Sequence, residues 1–302
     1  MTRFDGGLGN QLFQYCAAKL YASRLGVESL FIPYKWYVDH YPNILDVVGK
    51  DLRATSTRQR LMVGNVPNEW PSWKRAIARC MLLLTTRLWP VVKITESVDL
   101  MQITPDEVPP ATRRLLVDGT FQNPLIYDPH LEEVCQEILT TAPTVSDDFG
   151  VNRVAVSFRR GDYTPRGWTL DWAYYDAALE SLAISKQQTS IWVISDDLDF
   201  SDLAAFRLRT EGYTVEQLPV ITPSTALNDF WLLAYAENVV LSNSTFAWWA
   251  AAAGDAMRGA DRHRVVVPSP WLWFYDRSLL RRSHWTAVDV SWTRASALAQ
   301  RS

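Results

Sequence analysis

The chain has 302 residues, 48% of them hydrophobic and 21% charged, which is the composition of a folded globular protein with room for two domains. Its formal net charge of −3 gives no general attraction to nucleic acid. Three widely spaced cysteines, Cys16, Cys80 and Cys135, without a CxxC pair, and four scattered histidines suggest neither a disulfide framework nor a zinc site; a reducing compartment fits.

The charge is uneven. From Lys50 to Thr95 nine basic residues face two acidic ones, a net +7, which leaves −10 on the remainder. The first residues lack an apolar h-region, so no signal peptide is expected, and no apolar run reaches membrane-spanning length.

Gly6-Gly7-Leu8-Gly9-Asn10-Gln11 opens the chain. Leu12, Phe13, Cys16, Ala17 and Leu20 follow with helical spacing. A glycine turn entering a helix N-terminus either packs the helix on a sheet or presents N–H groups to a polar ligand. No Lys-Ser/Thr follows, so it is not a Walker loop. Leu30-Phe31-Ile32 reads as a strand, and residues 34–68 as loops and short helices.

Ser72 to Leu88 predicts a helix stopped by Pro90, with Trp73, Lys74, Arg75, Arg79, Arg87 and Trp89 around an apolar run. Such a helix can make a peripheral contact with an anionic membrane through 72–89. The arrangement expected instead is an apolar face in the core and a basic face in water, the usual disposition in globular proteins.

Leu115-Leu116-Val117 is a short buried strand running into Asp118-Gly119-Thr120-Phe121-Gln122, and 128–141 is helical. The polar, Pro-containing segment Ala142 to Asp148 is the linker candidate, which divides the chain into domains 1–146 and 147–302.

The second half alternates. Strands are expected at Val154–Val156, Ser190–Ile194, Thr214–Leu218, Asn238–Leu241 and Val265–Val267. Helices are expected near 170–186, 203–209, 227–236 and 247–253. Alternation predicts α/β architecture with parallel sheets and helices on both faces. Three polar strand ends then point the same way: Arg159-Arg160-Gly161-Asp162, Ser195-Asp196-Asp197 and Ser242-Asn243-Ser244-Thr245. Ligands bind beyond the carboxyl ends of such strands. Two guanidiniums there suit a diphosphate, or they are solvated and paired to local acids. Ser244 and Thr245 suit phosphate oxygens or a plain helix cap. Asp197-Leu198-Asp199 spells the DxD of metal-dependent sugar transferases, but nothing else completes an oxygen-ligand set.

Together these stretches resemble the α-1,2-fucosyltransferases, glycosyltransferase family 11. Gly6 to Tyr15 looks like their N-terminal signature, and Ser157 to Asp162 resembles their HxRRxD motif with Ser157 in place of His. Ser195-Asp196-Asp197 resembles their acidic turn, and Asn243 to Ala250 is similar to their NSTxSWW block. Gly119 to Gln122 and Val267 to Trp271 match in kind and order, so the likeness runs from residue 6 to about 290.

The resemblance implies a GT-B-like fold: two Rossmann-like domains facing across a cleft, with the last helix packing back on the first. It implies an inverting, metal-independent transferase that moves L-fucose from GDP-β-L-fucose to the 2-hydroxyl of a sugar, usually galactose. The partners would be that nucleotide-sugar donor and a glycan or lipid-linked oligosaccharide acceptor, with no cofactor and no nucleic acid. Arg159 and Asp162 would be catalytic, Arg159 on the leaving diphosphate and Asp162 either as general base or as the ion-pair partner that orients an arginine. Arg160, Asp197, Asn243, Ser244, Thr245 and Phe246 would bind the donor, with Asp197 on the guanosine. Gly7, Gly9, Asn10 and Gln11 would meet the acceptor. The expected location is cytoplasmic, peripheral on the inner membrane if the 72–89 contact is made. Rival readings are a transferase using another nucleotide sugar, suggested by Ser157, and a non-catalytic glycan- or nucleotide-binding relative.

Overall fold

The structure, a computed structural model, describes residues 2–3, 6–25, 31–32, 44–48, 71–88, 92–95, 115–122, 128–273 and 280–292. Most of the expected loop region 34–68 and the expected last helix beyond 292 lie outside the described residues. The chain divides into two compact units, Met1–Val134 and Cys135–Ser302. The expected linker belongs to the second of these and is pinned there by the Tyr235 hydroxyl, which donates to the Pro143 carbonyl.

The first unit contains β1 (Thr2–Arg3), α1 (Leu8–Leu25), β2 (Phe31–Ile32), α2 (Ile44–Val48), α3 (Ser72–Leu88), β3 (Val92–Thr95), β4 (Leu115–Asp118) and most of α4 (Asp128–Leu139). Its strands pair in the order β2-β1-β4-β3, all parallel. Helix α1 buries Leu12, Phe13, Cys16, Ala17 and Leu20, and also Gln11, Gln14, Tyr15, Ala18 and Tyr21 on its other sides. The spacing expected for one buried face thus belongs to a helix embedded nearly all round.

In the amphipathic helix α3 the side chains are described only as far as Met81. Among them Trp73, Ile77, Cys80 and Met81 are exposed and Ala78 is buried, so this first half of the helix does not follow the expected apolar-in, basic-out disposition. The 3.6-residue period identifies which side chains share a side of the helix; it does not say which side meets the core.

The second unit contains β5 (Arg153–Phe158), α5 (Trp172–Ser181), β6 (Ser190–Ser195), α6 (Leu198–Thr210), β7 (Thr214–Val215), α7 (Thr225–Tyr235), β8 (Asn238–Val240), α8 (Thr245–Arg258), β9 (Arg264–Ser269) and β10 (Thr286–Asp289). These strands form one parallel sheet in the order β10-β9-β8-β5-β6-β7. Numbered from β5, the order is the doubly wound 3-2-1-4-5-6 pattern. The expected α/β class with Rossmann-like units on parallel sheets therefore holds.

The central strands are buried on both faces, as the near-continuous apolar runs require. Val154, Val156 and Phe158 of β5 pack with Ile191 and Val193 of β6 against Tyr174, Tyr175 and Ala178 of α5 and Leu208 of α6. At the amino-terminal end of the sheet, buried Asp255 of α8 collects four side chains. His263 Nδ1 lies 2.8 Å from Oδ1; Arg282 Nη1, His284 Nε2 and Trp285 Nε1 lie 2.8, 2.8 and 2.9 Å from Oδ2. The Trp248 indole N–H donates to the Leu280 carbonyl at 2.8 Å. These bonds fasten residues 280–285, and hence edge strand β10, to α8.

Candidate active site

In the 3-2-1-4-5-6 order the chain leaves β5 in one direction and later returns to lay β8 on its other side. The crevice at this reversal, between the carboxyl ends of β5 and β8, is where ligands sit in such sheets. Two of the three expected polar strand ends, after β5 and after β8, flank it. The third, after β6, is next to β5.

Four side chains build the turn after β5. Arg159 Nη2 donates to Asp162 Oδ1 at 2.6 Å, and Arg159 Nη1 pairs with Asp196 Oδ2 at 2.8 Å. Arg166 Nη1 binds the other oxygen of Asp162 at 2.6 Å. The second oxygen of Asp196, Oδ1, accepts the backbone N–H groups of Arg160 and Gly161 at 2.7 and 3.2 Å. Asp196 thus holds both the backbone of the turn and the guanidinium that leaves it. Gly161 is required by that closeness, because a Cβ there would lie 2.8 Å from Asp196 Oδ2.

The two arginines part. Arg159 joins the acidic pair. Arg160 turns away, with its Cζ 4.3 Å from the centre of the Phe200 ring and its Nε buried without a hydrogen-bond partner among the described residues. Beside it lies a cavity of about 260 Å³ lined by Thr169, Leu170, Asp171, Trp172, Tyr175 and Phe200. A guanidinium over an aromatic face with an unused N–H can still donate to an anionic or carbonyl oxygen.

Across the crevice, Ser244 is the N-cap residue of α8 and makes no side-chain cap bond. The first N–H groups of this 14-residue helix therefore lie next to the strand end, where free N–H groups and the helix dipole favour an oxyanion. Asn243 is fully buried and ties the two walls together. Its Nδ2 donates to the Trp168 carbonyl at 2.8 Å, its own carbonyl accepts the Tyr163 hydroxyl at 3.2 Å, and its Oδ1 has no partner among the described residues. Phe246 pairs edge-on with Phe230 of α7, ring centres 5.5 Å apart.

Asp197 has a local role: its carboxylate caps α6 by accepting the Phe200 N–H at 3.1 Å. The DxD spelling thus falls at a helix start, with Asp199 in its first turn. Asp196, which the sequence does not distinguish from its neighbour, is the carboxylate bound to the arginine turn.

The floor of the crevice carries a hydroxyl pair. Ser157 Oγ on β5 and Ser242 Oγ after β8 are buried and 2.9 Å apart. Replacing one by Ala strands the other hydroxyl. We expect Ser157→Ala or Ser242→Ala each to cost about 1–3 kcal/mol, and the double variant to cost less than the sum. A double-mutant cycle by chemical denaturation reads the coupling.

The glycine turn of the first unit is built with equal economy. Gly6 has φ of +80°, and a Cβ there would meet Asn10 Nδ2 at 2.6 Å. Gly7 accepts the Asn10 and Gln11 N–H groups through its carbonyl, and Gly9 is buried within α1. Asn10 Oδ1 accepts Gln122 Nε2 at 3.0 Å, and Gln14 Nε2 donates to the Gly119 carbonyl at 3.0 Å. Gln11 is buried, its Nε2 on the Gly6 carbonyl and its Oε1 on the Ile44 N–H. Both ends of that amide are thus committed to backbone, while Asn10 is half-buried.

A family model described as glycosyl transferase family 11 matches residues 127–260, the segment from α4 through α8. The chain is 26% identical over 292 residues to the alpha-1,2-colitosyltransferase of Escherichia coli, covering 90% of this chain and 91% of that one. It is 22% identical over 311 residues to the O-antigen biosynthesis glycosyltransferase WbnK of Escherichia coli, covering 93% and 97%. Among solved structures it is similar to Arabidopsis thaliana FUT1 in complex with GDP, with a TM-score of 0.47, 13% identity, and coverage of 84% of this chain and 68% of that one.

Proposed function

We propose, for this relative of glycosyltransferase family 11 matched over residues 127–260, that it transfers L-fucose from GDP-β-L-fucose to the 2-hydroxyl of a galactose residue, with inversion at the anomeric carbon. The observation that carries the reading is the pairing of the Arg159 turn with the N-terminus of α8, which the Ser244 side chain does not cap, across one switch point. An arginine fork and a helix N-terminus form a seat for a diphosphate.

In the displacement, the acceptor oxygen bonds to the anomeric carbon as the bond from that carbon to the diphosphate oxygen breaks. The electron pair leaves with GDP, and the acceptor proton goes to a base. The sugar passes through oxocarbenium character, while negative charge grows on the leaving diphosphate. Arg159 stabilises that charge. Its bonds to Asp162 and Asp196 use one N–H each, which leaves other donors of the fork for the oxyanion. The α8 N–H groups add to this without a metal ion.

Asp162 holds Arg159 and Arg166 through one oxygen each. This is a positioning role, and Asp162 takes the acceptor proton only by releasing one of these partners. Acceptor recognition is assigned to the glycine turn, at Gly7, Gly9 and Asn10.

A second reading keeps the reaction and changes the sugar. It is favoured by Ser157, whose hydroxyl is committed to Ser242 where the family motif has His, and by the relative named as a colitosyltransferase. One assay separates the two. The chain is incubated with GDP-fucose, or with GDP linked to a related deoxysugar, and a panel of galactose-terminated oligosaccharides, and products are read by mass spectrometry and linkage analysis. An α-1,2-fucosylated product, formed equally well in a chelator, is expected. Product only from the other donor selects the second reading, and no product from any donor counts against both.

A further inference from the structure

We propose that the outward stripe of α3 docks the protein on an anionic lipid surface. Trp73, Ile77, Cys80 and Met81 fall at i, i+4, i+7 and i+8 and so share one side of the helix. That side faces solvent: Trp73 is 60% exposed, Ile77 51% and Met81 64%, with Cys80 exposed as well. Ala78, on another side, is buried. A helix held by its apolar stripe shows the reverse. A contiguous apolar strip of this kind on a protein surface marks an interaction site.

The edge of the stripe identifies the partner. Exposed Lys74 follows Trp73, with its Nζ 5.4 Å from the indole ring centre. An indole beside an ammonium matches a bilayer interface, where the ring sits at headgroup level and the cation meets lipid phosphate. Half-buried Arg75 follows, and in sequence the stretch 50–95 to which the helix belongs carries +7 in a chain of net charge −3. Such a concentrated charge is drawn to anionic headgroups. A second copy docked on this stripe would bring more cations, its own Lys74 and Arg75 among them, to the same face, whereas anionic lipid neutralises them, so the charge selects the lipid. No helix among the described residues is long and apolar enough to cross a membrane, so the contact made by α3 is peripheral. The proposal does not depend on the transferase reading.

The test is co-flotation of the full chain with vesicles at low salt, comparing phosphatidylglycerol/phosphatidylcholine mixtures with phosphatidylcholine alone. The chain is expected to float with the anionic vesicles, remain below with the neutral ones, and release at high salt. Partitioning should fall by about tenfold or more in Trp73→Ser/Ile77→Ser/Met81→Ser and in Lys74→Glu/Arg75→Glu. Trp73→Ser alone gives a smaller loss and serves if the triple variant does not fold by circular dichroism. Failure to float with anionic vesicles, equal binding to neutral ones, or variants that bind like the wild type overturns the proposal. So does a stripe-dependent dimer in sedimentation velocity without vesicle binding.

Discussion

Arg159→Ala is expected to lower the transfer rate by about 10²- to 10³-fold, the scale seen when one preorganised donor to a developing oxyanion is removed, and to weaken GDP binding. Its effect on stability should be small. Arg159 and Asp162 are both more than a third exposed, and exposed ion pairs contribute little. Arg159→Lys should recover only part of the rate. An ammonium keeps the charge but lacks the planar fork that spans Asp162 and Asp196 while still reaching a phosphate. Asp196→Ala should resemble Arg159→Ala in rate although Asp196 need touch no substrate. It removes the acceptor for two backbone N–H groups and one guanidinium nitrogen. The readout that distinguishes this positioning role is rescue: Asp196→Asn keeps one acceptor oxygen for the turn and should retain more activity than Asp196→Ala. Steady-state kinetics and calorimetry on these variants check the set.

The second large effect is on stability. Asp255→Ala should destabilise the second unit by about 3–5 kcal/mol, a drop in melting temperature of roughly 10 °C. It leaves His263, Arg282, His284 and Trp285 without their shared carboxylate. Burial pushes the Asp255 carboxyl up, but His263, Arg282 and His284 together outweigh it and hold the group below its ordinary value of 3.8. A carboxylate with a depressed folded-state pKa binds fewer protons in the folded state than in the unfolded one. Its contribution is therefore complete above the unfolded value and is lost as pH falls below about 4. Thermal melts from neutral pH down to pH 3 should show the gap between wild type and Asp255→Ala narrowing at the acid end. A gap of constant size would contradict a contribution from the ionised carboxylate.

Much of this architecture is visible in the chain because its strands are short apolar runs punctuated by turn residues. Val154–Val156, Ser190–Ile194 and Val265–Val267 fall inside β5, β6 and β9. Edges were harder to read. β10 is Thr-Ala-Val-Asp, half exposed, and β3 is only four residues long; neither has a run or an alternation long enough to stand out. Helix α6 begins at Leu198 and not near 203, because the Asp197 cap starts a helix before its apolar spacing begins. The strand expected at Thr214–Leu218 stops at Val215.

At the site, an ion pair with one of the two arginines is one of the two roles expected for Asp162, and Arg159 is the arginine it meets. The role of Asp196 could not be read that way. It bonds to a turn some thirty-five residues earlier, and only the adjacency of β5 and β6 creates the contact. The same holds for the Ser157–Ser242 pair, and for Asp255 with its partners at 263, 282, 284 and 285. The burial of the Gln11 amide is likewise a product of packing, because the sequence shows a polar residue beside glycines and not the Ile44 N–H that claims it.

The proposed reaction requires the second unit to be a seat for GDP. Isothermal titration of the chain with GDP and with UDP tests this most directly. A saturable GDP isotherm, weakened in Arg159→Ala, with no UDP binding, is the predicted result. UDP binding without GDP binding, or GDP binding untouched by Arg159→Ala, would contradict it.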